Sequence, residues 1–283
     1  MPTIKVKNGP EIYVEDVGHG PAIVFIHGWP LSAAMWEYQV VPLVEAGFRC
    51  ISYDRRGFGR SCKSPRDYSY SALAGDLAAV LDELAITDAT LVGFSMGGGE
   101  VVEYLTRHNT SRRVVRAMLV ASVVPFLLKT DNNPDGVDVE NFIEIQAGLR
   151  TDRPAFLTDF AEKFFGVGLL SSPVSMPMLA STCEVAMTAS PIATLACVKT
   201  FSETDFRAQC KTIDVPVLVI HGDSDNIVPI DPTSACAAAI IPQAELKIYS
   251  GAPHGLFYTH RQDLNRDIAA FVSEGRVALS DAA

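Results

Sequence analysis

The feature that most constrains the fold is a series of short apolar runs that alternate with helical segments. The runs at 22–26 (AIVFI), 89–94 (ATLVGF) and 215–220 (VPVLVI) are apolar almost throughout. Such runs are typical of strands buried on both faces of a parallel sheet. Further strand-like runs lie at 49–53, 116–122 and 245–249, and an Asn8-Gly9 hairpin signal separates two N-terminal runs at 3–7 and 11–18.

Amphipathic helical patterns fill most of the gaps between these runs. At 71–85, 97–107 and 264–275 the apolar residues recur on one helical face, and Gly275 is a predicted helix end. Alternation of strands and helices favours parallel strands joined by helical crossovers, which cover both faces of the sheet. The runs together predict an α/β fold with a mostly parallel, eight-stranded sheet flanked by helices.

One long segment, residues 126–210, interrupts this alternation. It contains no convincing strand, is rich in phenylalanine, and is broken by prolines and glycines. We interpret it as a helical cap inserted between two strands. The predicted core then consists of residues 1–125 and 211–283.

Composition and charge argue against several classes of partner. The chain is 48% hydrophobic and 20% charged, and its formal net charge is −10, so we expect neither nucleic acid nor a membrane as partner. No apolar run is long enough to span a bilayer, and we expect no signal peptide. The six cysteines form no C-x-x-C pair, which predicts reduced thiols and a cytoplasmic location. No His or Cys cluster has metal-ligand spacing, so no metal is expected, and the oligomeric state stays open.

The stretch LVGFSMGGGE, residues 91–100, contains the pattern G-x-S-x-G. It directly follows a predicted strand and precedes a predicted helix, as a nucleophile elbow requires. Gly93 and Gly97 would allow a tight turn where a Cβ would clash. The helix N-terminus would direct free N–H groups towards a developing oxyanion near Ser95. The simpler alternative is a glycine-rich turn without catalytic function.

A serine hydroxyl needs a base, and the base needs an orienting acid. Asp225 follows the strand in VLVIHGDSDNIVP, and His254 lies in a Gly/Pro loop after the last strand. The order Ser95, Asp225, His254 is that of an elbow-type catalytic triad. Asp223 competes for the acid role but is better placed to stabilise the turn at the strand end.

Two other segments follow predicted strands. In His27-Gly28-Trp29-Pro30, the backbone N–H of Trp29 is the expected partner of the Met96 N–H in an oxyanion hole. His27 and His221 end apolar strands before a glycine, and we expect structural hydrogen bonds from both. The segment YDRRGFGRS (53–61) lacks the phosphate-loop pattern, and we interpret it as a turn in which Asp54 pairs with Arg55 or Arg56.

Five motifs, HGWP, YDRRGFGRS, LVGFSMGGGE, VPVLVIHGDSDNIVP and APHGLFYTH, together resemble the α/β-hydrolase superfamily over about residues 3–274. Within it the chain is similar to the cofactor-free haloperoxidases and bacterial aryl esterases. The resemblance implies an α/β-hydrolase fold with a four-helix cap and no cofactor. It also implies hydrolysis of small esters and perhydrolysis, the transfer of an acyl group to hydrogen peroxide to give peracids that oxidise halide.

The resemblance also implies roles for individual residues. Ser95 would be the nucleophile, Asp225 the acid and His254 the base, with the oxyanion hole formed by the N–H groups of Trp29 and Met96. The acyl pocket would map onto Phe142, Phe160, Phe201 and Ile227, and Pro30 would also line the substrate pocket. Pro30 would direct the carbonyl oxygen of Trp29 into the pocket, where it could hold hydrogen peroxide; otherwise it only stiffens the loop.

Other functions remain open at this point. The same triad could hydrolyse a small lactam or a C–C bond. A non-catalytic ligand-binding protein on a hydrolase scaffold is a different class of function, because the fold alone does not determine activity.

Overall fold

The computed structural model describes residues 3–6, 9–168 and 172–274, and the described strands form one eight-stranded sheet. The strands are β1 (Thr3–Lys5), β2 (Glu11–Val17), β3 (Ala22–Ile26), β4 (Arg49–Tyr53), β5 (Ala89–Phe94), β6 (Val114–Val120), β7 (Val217–Gly222) and β8 (Ala244–Tyr249). Their order is β1-β2-β4-β3-β5-β6-β7-β8. Strand β2 is antiparallel to β1 and β4, and the other neighbouring pairs are parallel. The predicted fold class is therefore confirmed.

The helices of the described residues either flank this sheet or lie in the segment between β6 and β7. They are α1 (Glu37–Glu45), α2 (Tyr70–Glu83), α3 (Gly97–Arg107), α4 (Val139–Thr151), α5 (Arg153–Phe164), α6 (Met176–Met187), α7 (Pro191–Glu203), α8 (Arg207–Cys210), α9 (Cys236–Ile240), α10 (Leu256–Thr259) and α11 (Arg261–Ser273). Helix α1 packs on α11, and α2 packs on α3. Strands β3, β5 and β7 are buried along their whole length, which explains why their sequences lack alternation. Two predicted signals, Asn8 and Gly275, lie outside the described residues.

Helices α4 to α8 lie between β6 and β7, in the segment for which the sequence predicts a cap. Three of the prolines in this segment stand at helix starts, where a missing N–H has no cost. Helices α5, α6 and α7 each have a proline in the first two positions, after a capping side chain. The caps are Asp152, Ser175 and Ser190, and each accepts a hydrogen bond from a backbone N–H of the first turn.

The parallel strands place the predicted site residues at one edge of the sheet. Trp29 follows β3, Ser95 follows β5, Asp225 follows β7 and His254 follows β8. Because the carboxyl ends of parallel strands meet at the same edge, loops that are distant in sequence converge there. Within the described ranges no single helix is long and apolar enough to cross a membrane, although α6 and α7, bent by 96°, meet that test as a pair.

Candidate active site

The turn between β5 and α3 forms a strained elbow. Ser95 has a φ of +53°, a left-handed conformation that side chains other than glycine rarely adopt. A Cβ on Gly93 would lie 2.6 Å from the carbonyl oxygen of Gly97, and a Cβ on Gly97 would lie 2.5 Å from that of Ile26. Both glycines are therefore required by close backbone contacts, and the turn presents the Ser95 hydroxyl, whose residue is 6% exposed, to the loop ends above the sheet.

Ser95, His254 and Asp225 form one hydrogen-bonded chain. The distance from Ser95 Oγ to His254 Nε2 is 3.0 Å, and the distance from His254 Nδ1 to Asp225 Oδ2 is 2.6 Å. With its Nδ1 proton donated to the carboxylate, the imidazole has Nε2 free to accept the serine proton. The structure thus brings together the three residues that the sequence predicts for catalysis.

The carboxylate of Asp225 is buried and held by several donors. Its Oδ1 accepts hydrogen bonds from the N–H groups of Ile227 and Val228, both at 2.9 Å. Burial alone would raise the pKa of this carboxyl, but the neighbouring His254 and the hydrogen bonds from His221 and His254 outweigh it and hold the pKa well below its ordinary value. The group is therefore a permanent anion beside the imidazole.

His221 belongs to this site, which the sequence did not indicate beyond a structural role. Its Nε2 lies 3.1 Å from Asp225 Oδ2 and 2.9 Å from the carbonyl oxygen of Val228. Both partners are acceptors, so Nε2 carries the proton, and Nδ1 accepts from the hydroxyl of Ser234 at 2.6 Å. The i,i+4 spacing of His221 and Asp225 is the sequence signal that could have placed His221 at the site.

Asp223 lies elsewhere. Its Oδ1 accepts a hydrogen bond from the backbone N–H of Gly251 at 2.6 Å, which joins the turn after β7 to the turn after β8. This is the turn-stabilising role that the sequence favours for Asp223.

The loop after β3 passes directly over the elbow. A Cβ on Gly28 would lie 3.1 Å from the Cβ of Ser95 and 2.6 Å from the ring of Phe94. The indole Nε1 of Trp29 donates to the carbonyl oxygen of Thr194 in α7 at 3.0 Å. In the part of the chain that the structure describes, the backbone N–H groups of Trp29 and Met96 donate to no backbone acceptor outside regular helices and strands.

A cavity of about 600 Å³ opens beside Ser95 and His254. The four residues assigned to the acyl pocket from the sequence line it, together with the indole of Trp29: Phe142, Phe160, Phe201 and Ile227. Its outer part carries three carboxylates and one ammonium group: Asp138, Glu144, Asp159 and Lys163. The cavity therefore combines an aromatic interior with a predominantly acidic mouth.

Pro30 does not line this cavity, in contrast to the expectation from the sequence. Its ring lines a separate small cavity of about 10 Å³ with Leu157 and Phe164. The reason is the neighbouring Trp29, whose indole is anchored on α7 and occupies the pocket wall. Pro30 therefore affects the pocket only indirectly, through the backbone of Trp29 or through Phe160, which lines both cavities.

The predicted pairing of Asp54 with Arg55 or Arg56 is wrong. The carboxylate of Asp54 accepts from the backbone N–H groups of Ala33 at 2.8 Å and Arg60 at 2.7 Å. Arg55 instead binds Glu100, and Arg56 binds Asp76, so both guanidinium groups turn into the core. Asp54 is bound by one N–H group of its own turn, that of Arg60, and by one from the segment after β3, that of Ala33. Among the described residues, no group of three or more His, Cys, Asp or Glu side chains is placed to hold a metal ion.

The chain is similar to proteins of known activity over nearly its whole length. Residues 21–261 match the family described as alpha/beta hydrolase fold. It is 40% identical to the non-heme chloroperoxidase CPO-A1 of Kitasatospora aureofaciens, over 97% of this chain and 100% of that protein. It is 36% identical to the bifunctional esterase/perhydrolase DCH of Acinetobacter calcoaceticus, over 96% of this chain and 99% of that protein. The crystal structure of a bromoperoxidase from Bacillus anthracis matches 96% of this chain and 99% of its own, with 40% identity and a TM-score of 0.93.

Proposed function

This chain belongs to the alpha/beta hydrolase family, and we propose that it hydrolyses small carboxylic esters through an acyl-enzyme and also transfers the acyl group to hydrogen peroxide. The observation that carries the proposal is the continuous hydrogen-bonded chain from Ser95 through His254 to Asp225. Its similarity to haloperoxidases and to an esterase/perhydrolase supports both activities.

Acylation starts from the hydrogen bond between Ser95 and His254. Nε2 of His254 takes the hydroxyl proton as Oγ attacks the ester carbonyl, and the resulting imidazolium is stabilised by the Asp225 carboxylate. The oxyanion is bound by the N–H groups of Trp29 and Met96. His254 then returns the proton to the leaving alcohol, the C–O bond breaks, and Ser95 carries the acyl group.

Deacylation repeats these steps with a second nucleophile. His254 removes a proton from water or hydrogen peroxide, which attacks the acyl carbonyl, and the same N–H groups bind the oxyanion. Collapse of the adduct expels Ser95 Oγ, which takes the proton back from His254. Water gives a carboxylic acid; peroxide gives a peracid, which can oxidise halide outside the site.

The pocket lining supports small esters with an apolar acyl or aryl group. Phe142, Phe160 and Phe201 come from the cap that we propose for residues 126–210, whereas Ile227 comes from the proposed core. A volume of about 600 Å³ accommodates a small aromatic ester, and aromatic walls favour an apolar group through burial. The similarity to an esterase/perhydrolase favours an ester over the small lactam or the C–C bond that the same triad could also cleave.

The cellular setting of the enzyme is also a proposal. All six cysteines are free, in line with a reducing cytoplasm. The net charge of −10 supports the absence of nucleic-acid or anionic-membrane partners.

Ser95→Ala tests the proposed function. Alanine keeps the Cβ of serine, so the strain at the elbow and the free energy of unfolding should change little, while ester hydrolysis should disappear. The measurement is turnover of 4-nitrophenyl esters of increasing acyl length, with and without peroxide, alongside labelling by a fluorophosphonate. Wild-type protein that neither labels nor turns over esters would indicate a ligand-binding protein, and activity in Ser95→Ala within tenfold of wild type would refute the assignment of the nucleophile.

A further inference from the structure

A buried arginine contacts the loop that carries Trp29. Arg55 is 1% exposed, and its Nη2 donates to the carbonyl oxygen of His27 at 2.6 Å. The backbone N–H of Arg55 donates to His27 Nε2 at 3.0 Å, and His27 Nδ1 faces the carbonyl oxygen of Gly28 at 2.9 Å. Arg55 therefore binds both the backbone and the ring of the residue that opens the His27-Gly28-Trp29 loop.

The same guanidinium is bound by a carboxylate near the elbow. Arg55 Nε donates to Oε1 of Glu100 at 2.5 Å. Glu100 is 0% exposed and lies in the first turn of α3, directly after the segment that carries Ser95 and Met96. The hydroxyl of Tyr53 donates to its other oxygen at 2.9 Å. One ion pair thus links the loop after β3 to the helix after β5.

These two elements are the ones that supply the two oxyanion donors. Donors stabilise an oxyanion only where they lie within hydrogen-bond distance of the position it will occupy, so their relative position must be held closely. We infer that Arg55 and Glu100 are positioning residues that set the distance between the N–H groups of Trp29 and Met96. The inference rests on the proposed function, because it assigns the pair a role in the same reaction.

Stability alone is a poor explanation for this pair. Removing two charges from water is costly, so a buried ion pair often stabilises a fold no more than well-packed apolar residues of similar volume, and sometimes less. His27 adds to the network as a neutral ring: burial and the charge of Arg55 both hold its pKa well below the ordinary value. The network is thus buried and hydrogen-bonded, and it joins the loop after β3 to α3.

The next residue provides a matched control. Arg56 is 8% exposed and binds Asp76 of α2 through Nε at 2.6 Å and Nη2 at 2.7 Å. Its other bonds go to the carbonyl oxygens of Asp67 and Ala72. Arg56→Lys therefore disturbs a buried ion pair of the same kind without touching the loop after β3.

The test compares Arg55→Lys and Glu100→Gln with Arg56→Lys. We expect kcat for 4-nitrophenyl acetate to fall about tenfold to a hundredfold in the first two, less than the 10²–10³ lost when an oxyanion donor is removed outright. KM should change little. Affinity for phenyl trifluoromethyl ketone, which forms a tetrahedral oxyanion adduct on serine, should fall by the same factor as kcat/KM, while inhibition by phenol should stay as in wild type.

Thermal unfolding of each variant separates positioning from folding. If Arg55→Lys does not fold, the isosteric Glu100→Gln is tested by the same measurements of kcat, KM and ketone affinity. If Glu100→Gln does not fold either, the apolar double variant Arg55→Met with Glu100→Leu is tested in the same way. Unchanged ketone affinity in a folded variant, or an equal loss in Arg56→Lys, would overturn the inference. Failure of the proposed function would look different, since the wild-type protein itself would then neither label nor turn over esters.

Discussion

At the scale of single residues, the two aspartates after β7 have separate roles. Asp225 lies 2.6 Å from His254, whereas Asp223 is bound to the backbone N–H of Gly251. We predict that Asp225→Asn lowers kcat by about 10⁴, the cost of replacing the triad carboxylate in a serine protease, because an amide cannot hold the imidazole in its working tautomer. Steady-state kinetics of both variants on one ester are the measurement. A larger loss in Asp223→Asn would mean that the acid is misassigned.

Pro30 is the residue through which the sequence connects the oxyanion loop to peroxide. It lines a separate small cavity and not the pocket itself, and we propose that it acts on the pocket through the carbonyl of Trp29. A carbonyl directed at the acyl-enzyme accepts a hydrogen bond from peroxide. We predict that Pro30→Leu lowers the ratio of perhydrolysis to hydrolysis at least several-fold while ester hydrolysis survives. A tenfold change in this ratio needs a difference of about 1.4 kcal/mol between the two transition states, which one hydrogen bond can supply.

Both rates are measured on the same acetate ester at one peroxide concentration. An unchanged ratio in Pro30→Leu would leave the proline as a stiffener of the loop and remove the sequence-based link to peroxide. Leu157→Ala, which alters the same small cavity from α5, serves as the control for a packing effect.

At the scale of elements, the sequence located the strands well and their side-chain partners poorly. Strands β3, β4 and β5 and helix α3 have the predicted bounds, because their apolar runs coincide with the hydrogen-bonded segments. Strand β7 begins at Val217 and not at 215, since Pro216 has no N–H for the ladder. Strand β6 ends at Val120, before Ala121, which has a φ of +45°.

The errors concern contacts between elements. Asp54, Arg55 and Arg56 are adjacent, so a local pairing was the natural expectation, but their partners lie on α2 and α3 and in neighbouring turns. Sequence proximity carries no information on which way a side chain turns from a loop. The triad residues could be predicted because their order along the chain and their positions after strand ends follow from the topology.

The link between the loops after β3 and β4 makes stability depend on pH through His27. Its pKa is well below the ordinary value of 6.5 in the folded protein, owing to burial and Arg55. Below pH 6.5 the unfolded chain therefore binds a proton that the folded protein does not, and the free energy of unfolding falls as pH falls. The contribution of this one group is at most about 1.4 kcal/mol per pH unit.

We predict that His27→Gln flattens this dependence between pH 7 and pH 5. Urea unfolding curves of both proteins at several pH values are the measurement, and glutamine can still accept from the Arg55 N–H and donate to the loop. Equal slopes in the two proteins would show that other groups cause the loss of stability in acid. His108, which stacks on Tyr104 at the end of α3, provides a substitution remote from the loop as control.

At the scale of the whole molecule, charge should select among esters that fit the pocket equally well. The chain has a net charge of −10, and the pocket mouth carries the carboxylates of Asp138, Glu144 and Asp159 against the ammonium of Lys163. Asp138 is partly neutralised by Lys129, at 3.0 Å. A field of this sign lowers the local concentration of anionic substrates and slows their association.

We predict that 4-nitrophenyl hydrogen adipate has a kcat/KM several-fold below that of 4-nitrophenyl hexanoate at low ionic strength. The two esters share an acyl chain of similar size and differ in one terminal carboxylate. The Debye length shrinks from about 30 Å at 0.01 M salt to about 8 Å at 0.15 M, so added salt should narrow the gap.

Glu144→Gln and Asp159→Asn should also narrow the difference in kcat/KM between the two esters, because each removes a carboxylate at the mouth. Glu140→Gln, on the same helix as Glu144 but outside the pocket lining, should narrow the gap less, because its carboxylate lies farther from the bound ester. If the difference in kcat/KM persists in high salt and in both variants, the preference does not come from the electrostatic field of the molecule. It would then come from the aromatic interior, where burying the carboxylate is unfavourable.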